Sequence, residues 1–117
     1  MTTGLILGCD LEQDRVKDIA RELGYVDKPN DPAVLLYGED DQLRLQVHES
    51  PRVFVDRFKT IVEFDDMSDT WPNNPRAKHV LAEMADYIPD LEISDYSFPL
   101  EQCDFRAAEE SPYLAEY

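Results

Sequence analysis

Apolar and polar positions along the 117-residue chain fall into short segments whose periods predict different elements. Gly4 to Cys9 is apolar apart from its glycines and too short for a helix, which predicts a buried strand. From Asp10 the spacing changes. Val16, Ile19, Ala20 and Leu23 share one helical face, with Asp10 as the cap, Gln13 placed to close a capping box and Gly24 suited to the left-handed stop. The outer face mixes Asp14, Asp18 and Glu22 with Arg15, Lys17 and Arg21 at spacings of three and four, the ordinary surface of a solvated helix. Asp27 to Pro32 carries two prolines and an Asn-Asp pair and predicts a loop.

Ala33 to Tyr37 is a second apolar run, and Gly38 to Asp41 turns the chain. Leu43, Leu45 and Val47 then alternate with Arg44, Gln46 and His48, the period of a strand with one wet face, so 33–37 and 42–48 predict a hairpin. After Ser50-Pro51 two patterns compete. Phe54, Phe58, Ile61 and Val62 repeat at helical spacing, which favours a helix over 51–65. The β-branched residues Val53, Val55, Thr60, Ile61 and Val62 argue for a third strand instead. Asp65 to Asn74 has no periodicity and predicts a loop. Asn74 and Pro75 open the clearest helix, with Ala77, Val80, Leu81, Met84, Ala85 and Ile88 as its apolar stripe and Pro89 as its end. Leu91 and Ile93 flank Glu92 in a strand running to about Tyr96, a short helix follows from Pro99 to Glu109, and Tyr113, Leu114 and Tyr117 give the 111–117 tail a means of docking, or leave it frayed.

No linker, repeat or low-complexity tract divides the chain, so residues 1–117 predict a single compact α+β domain. Its expected form is a small, mainly antiparallel sheet packed against two to four helices. A parallel crossover through the first helix would make the sheet mixed.

Charge changes this picture. The chain has 26 acidic and 11 basic side chains, a net charge of −15. The asymmetry is internal as well: net −4 over residues 1–60 and net −11 over 61–117, where Arg106 is the one basic residue after Lys78. Hydrophobic residues still make up 43% of the chain, enough for a core, which argues against disorder throughout. Direct binding to nucleic acid or to an anionic membrane is disfavoured, because phosphates would repel such a surface. The apolar runs fall well short of the roughly 20 residues of a membrane-spanning helix. No basic residue precedes Arg15, so the lead of a secretory signal is missing and a cytoplasmic protein is expected.

Candidate chemistry is sparse. Cys9 and Cys103 form no CxxC pair or Cys/His metal spacing, which makes a disulfide framework improbable. His48 lies on a predicted wet strand face and His79 beside the apolar stripe of the strong helix, with no spacing that joins either to a nucleophile. The clusters Glu39-Asp40-Asp41 and Asp65-Asp66-x-x-Asp69 lack the alternation and glycine of a calcium loop, and Gly4 and Gly8 belong to no phosphate-cradling motif. No catalytic residue, cofactor or metal is therefore expected.

What remains is the acidity itself. Carboxylates three or four apart on a helix, or two apart on a strand, are spaced roughly 5–7 Å, close to successive phosphates of a nucleic acid. Two such rows would compete for an arginine- and lysine-lined groove. The candidate rows are Glu83 and Asp86; Asp90, Glu92 and Asp95; and Glu101 and Asp104, bordered by Asp65, Asp66 and Asp69. Trp71, Tyr87 and Tyr96 are the candidate anchors, with core packing an equal explanation for Trp71. In size and charge alone the chain is similar to phage anti-restriction and anti-CRISPR proteins that mimic DNA, and to immunity proteins that plug nuclease toxins; no motif places it in either group. The expected partner is a basic, nucleic-acid-binding protein, and a homodimer would double the acidic surface. An acidic surface selected by a high-salt cytoplasm is the competing explanation.

Overall fold

In the computed structural model, residues 3–37, 40–68, 73–95 and 100–114 are described. Their centre is an antiparallel sheet of seven strands: β1 (Thr3–Cys9), β2 (Tyr25–Asp27), β3 (Val34–Tyr37), β4 (Asp40–Glu49), β5 (Thr60–Asp66), β6 (Glu92–Asp95) and β7 (Arg106–Ala107). They lie in the order β2-β3-β4-β5-β1-β6-β7. Two α-helices, α1 (Gln13–Leu23) and α2 (Pro75–Tyr87), cover one face. The fold is α+β in one compact domain, with a radius of gyration of 13.0 Å, as a folded chain of about this length should have. The sheet is larger than expected, and the crossover reading fails: every pairing among the described strands is antiparallel. After α1 the chain re-enters at the far edge through β2, an element without a periodic signature, and winds back through β3, β4 and β5 to β1.

Strand pleating sorts the core. Leu5 and Leu7 of β1, Leu43, Leu45 and Val47 of β4, and Val62 and Phe64 of β5 point to the helices, where Val16, Ile19, Val80, Leu81 and Met84 meet them. α2 forms as its sequence predicts, with the Asn74 side chain accepting from the amides of Arg76 and Ala77 at 3.0 and 3.4 Å. Gly24, at φ 114°, ends α1.

Three expectations are corrected. The first helix begins at Gln13, with Glu12 at the cap position and no side-chain cap bond, so the capping box of Asp10 and Gln13 is not made. The backbone before it is held elsewhere: Cys9 O accepts from Lys59 N, Asp10 N donates to Asp90 and Leu11 O accepts from Thr60 Oγ1. Residues 51–65 are not a helix but a short 3-10 turn, Arg52–Phe54, followed by β5, which also takes in Asp65 and Asp66 from the expected loop. The helical spacing of Phe54 and Phe58 reflects one turn folded over the sheet, while Ile61 and Val62 point to opposite faces and are both buried. The helix expected over 99–109 is replaced, in its described part, by 3-10 turns at Leu100–Gln102 and Ala108–Glu110 on either side of β7. Tyr113 and Leu114 of the tail pack against the main core.

The face opposite the helices carries a second, smaller cluster of Ile6, Phe54, Phe58, Ile61 and Phe105. Gly8 makes it possible, because a Cβ there would lie 2.7 Å from the Phe58 ring. The two glycines of β1 thus serve close packing over the strand, with Asp65 against Gly4 and Phe58 against Gly8.

Candidate acidic binding surface

The predicted carboxylates do not form one continuous row. Asp66 is fully buried; it accepts from Ser68 N (2.9 Å) and Asn74 Nδ2 (3.1 Å), tying the start of the β5–α2 connection to its end. Asp65 is almost as buried, across from Arg44 at 4.0 Å, and the loss of water, reinforced by Glu63, pushes its carboxyl pKa up. Neither is a docking carboxylate. Glu92 and Asp95 sit three apart on β6, so they face opposite sides of the sheet. Glu92 pairs with Arg57, and Asp95 accepts from the Tyr113 hydroxyl, whose pKa burial and this bond push up to about 12. Glu83 pairs with His79 at 2.9 Å one turn away, and Asp104 with Arg106 at 3.3 Å. Glu101 is exposed and has no ion-pair partner among the described residues. Asp69, Trp71 and Tyr96 lie outside the described residues.

What the fold does bring together is a set of junctions at one end of the sheet. There β1 leads into α1 through Asp10 and Glu12, and α2 leads into β6 through Asp86, Tyr87 and Asp90. Asp10 N donates to Asp90 Oδ2 at 3.3 Å, linking the two. A third junction joins them because β7 pairs with β6 and Ala108 N donates to Leu91 O at 3.1 Å, which sets Glu109 and Glu110 next to the Asp90 turn. Asp10, Asp86, Tyr87, Asp90, Glu109 and Glu110 are all exposed, Tyr87 by half. The nearby Cys9 thiol is raised chiefly by burial, with the charges of Asp90 and Asp10 adding to the shift against a backbone hydrogen bond.

Cations reach part of this end, with Lys59 3.7 Å from Glu12 and Arg57 on Glu92, but the last turn of α2 carries none. The exposed carbonyls at a helix C-terminus carry partial negative charge, a position where acidic side chains cost roughly 0.3–1 kcal/mol and basic ones stabilise. The last turn of α2 has no basic residue and carries Asp86, with Asp90 just beyond. Glu12 and Asp14 differ, since they stand at the N-terminus of α1, where negative charge is favoured. Sequence reasoning found Asp86, Tyr87 and Asp90 but not Asp10, which reaches them through the bond of its amide to Asp90, nor Glu109 and Glu110, which reach them through the β6–β7 pairing, and β7 is two residues long.

The open sheet face carries a different arrangement. His48 Nε2 lies 2.8 Å from Glu63 Oε2, beside a cleft of about 290 Å³. A larger cavity of about 420 Å³ lies between β6, β7 and the tail, lined by Asp95, Gln102, Asp104, Arg106 and Tyr113 among others. Cys9 and Cys103 are not joined in a disulfide; Cys9 is buried and Cys103 half-buried. Among the described residues no group of three His, Cys, Asp or Glu is placed to hold a metal ion, and no helix is long and apolar enough to cross a membrane. No family model matches the chain, and neither the curated proteins nor the solved structures yield a match.

Proposed function

We propose that this chain is a small acidic protein-binding inhibitor whose carboxylate surface occupies a basic, nucleic-acid-binding site on a partner protein. The observation that carries this reading is the grouping of Asp86, Asp90, Glu109 and Glu110 around the negative end of α2, with no basic residue in the helix's last turn. Acidic side chains beside a helix C-terminus do not stabilise the isolated fold, so an external cation accounts for an arrangement that internal stability does not. Tyr87 supplies the aromatic anchor that a purely electrostatic surface lacks. Inhibition of a phage-restricting nuclease and neutralisation of a nuclease toxin share this mechanism and differ in setting. Both place the protein in the cytoplasm where such enzymes act.

A nuclease-treated pull-down from host lysate, washed at about 0.05 M and then about 0.5 M salt, tests the reading. The expected result is a nucleic-acid-processing protein retained at low salt, released at high salt, and lost when Asp86, Asp90, Glu109 and Glu110 are all changed to Lys. Equal retention by that variant would remove the surface from consideration. A second reading has its own support: exposed carboxylates without ion-pair partners among the described residues also occur elsewhere, at Glu22, Asp56 and Glu101, as a salt-adapted surface would place them. That reading expects a melting temperature climbing steeply into molar KCl and no tight partner.

A further inference from the structure

We infer that the cleft on the open sheet face is a receptor for one arginine side chain of the basic partner; this rests on the reading above and adds a specific pocket to it. The cleft lies at the same end of the sheet as the acidic junctions, where β4 ends and β5 begins. Its floor is apolar: Ile6 and Ile61 from the strands, with Pro51 and Leu100 from the flanking turns. Its polar lining is His48, Glu49 and Glu63, with no lysine or arginine. His48 holds one oxygen of Glu63 at 2.8 Å, which fixes the carboxylate and leaves Glu63 Oε1 without a hydrogen-bond partner among the described residues. Glu49 is exposed and has no ion-pair partner among them.

A long side chain with an apolar stem and a cationic head matches both features, the stem on the floor and the head at the carboxylates. Arginine is the better occupant, since its planar guanidinium is weakly hydrated and presents a fork of donors. The same sheet face already shows this mode within the chain. The guanidinium of Arg57 lies 5.1 Å from the Phe58 ring centroid and 5.5 Å from that of Phe105, and donates to Glu92. An apolar floor with a carboxylate at its rim therefore holds one guanidinium internally, and the neighbouring cleft likewise sets a carboxylate beside an apolar floor.

The test is a methyl and amide NMR titration of the full chain at about 0.05 M salt with octa-arginine, with octa-citrulline as the uncharged control. The expected result is saturable shifts at Ile6, Ile61 and Leu100, absent with octa-citrulline, and an affinity reduced about tenfold by Glu63→Gln. Glu49→Gln, at an exposed position with little bearing on folding, is expected to weaken binding severalfold. Neutralising Asp86, Asp90, Glu109 and Glu110 is expected to lower affinity while leaving the cleft shifts in place at saturation. Binding with shifts confined to the acidic junctions would overturn the cleft and leave the acidic-surface reading standing. Absence of any binding would overturn both.

Discussion

The two faces of the sheet are built from the same strands and solve different problems. On the helix side every inward position of β1, β4 and β5 from Leu5 to Leu7, Leu43 to Val47 and Val62 to Phe64 is apolar and buried under α1 and α2. On the other side the alternate positions are Gly4, Ile6 and Gly8, then Arg44, Gln46 and His48, then Ile61, Glu63 and Asp65. A small aromatic cluster covers part of that face, and charged groups facing one another occupy the rest. The contrast teaches where stability and recognition reside: the helix side is invested in folding, and the open side and its adjoining end carry the groups that a partner can reach.

The largest expected effect breaks the comparison at its core. Phe64→Ala on the helix side should cost about 3–5 kcal/mol in denaturant unfolding, as expected for a fully buried ring. Phe105→Ala, on a cluster of only five buried residues, should cost clearly less. Equal losses would show that the two faces contribute alike.

Next is Asp66, an acidic residue that behaves as part of the core. Asp66→Ala leaves the Ser68 amide and the Asn74 side chain without their acceptor and should cost about 2–3 kcal/mol. An unchanged unfolding midpoint would return Asp66 to the pool of docking carboxylates.

A smaller effect is expected at the tail, where Tyr113→Phe should cost about 1 kcal/mol. Tyr113 has its pKa raised in the folded state to about 12, so the associated stability is intact below the ordinary tyrosine range near pH 10. It is lost as pH rises toward about 12. Ultraviolet titration should show a late-ionising tyrosine that is absent from the variant.

The smallest effect has the opposite sign. Asp65 is raised by burial, so folding is penalised above its folded pKa, and the penalty vanishes once pH falls below the unfolded value of about 4. Asp65→Asn should therefore raise the melting temperature slightly at pH 7 and have little effect near pH 3. A lower melting temperature at pH 7 would mean that Arg44 needs Asp65 more than Asp65 needs water.

Legibility in the sequence followed how many faces of an element are buried. β4 has one wet face, and the alternation of Leu43, Leu45 and Val47 with Arg44, Gln46 and His48 announced it. α2 was equally readable from its Asn74 cap and apolar stripe. For β5 the sequence favours a helix and leaves the observed strand as the alternative, because Thr60, Ile61, Val62 and Phe64 are buried whichever way they point, which erases the period of two. The acidic surface was half legible. Asp86, Tyr87 and Asp90 are neighbours in sequence, whereas Asp10, Glu109 and Glu110 reach them only through hydrogen bonds between distant segments. The Glu92 and Asp95 row failed on simple strand geometry, and Asp65 and Asp66 failed because nothing in their own residues shows that other chain segments cover them.

By itself the sequence determined an acidic single domain of α+β class, its two main helices and its central hairpin, because these depend on local spacing and on the sum of charges. Only the tertiary structure decided which carboxylates are buried, which already have partners within the chain, and which stand on segments that meet beside the negative end of α2. Burial and electrostatic potential depend on distances in space, and strand pairing sets those distances between residues far apart in the chain.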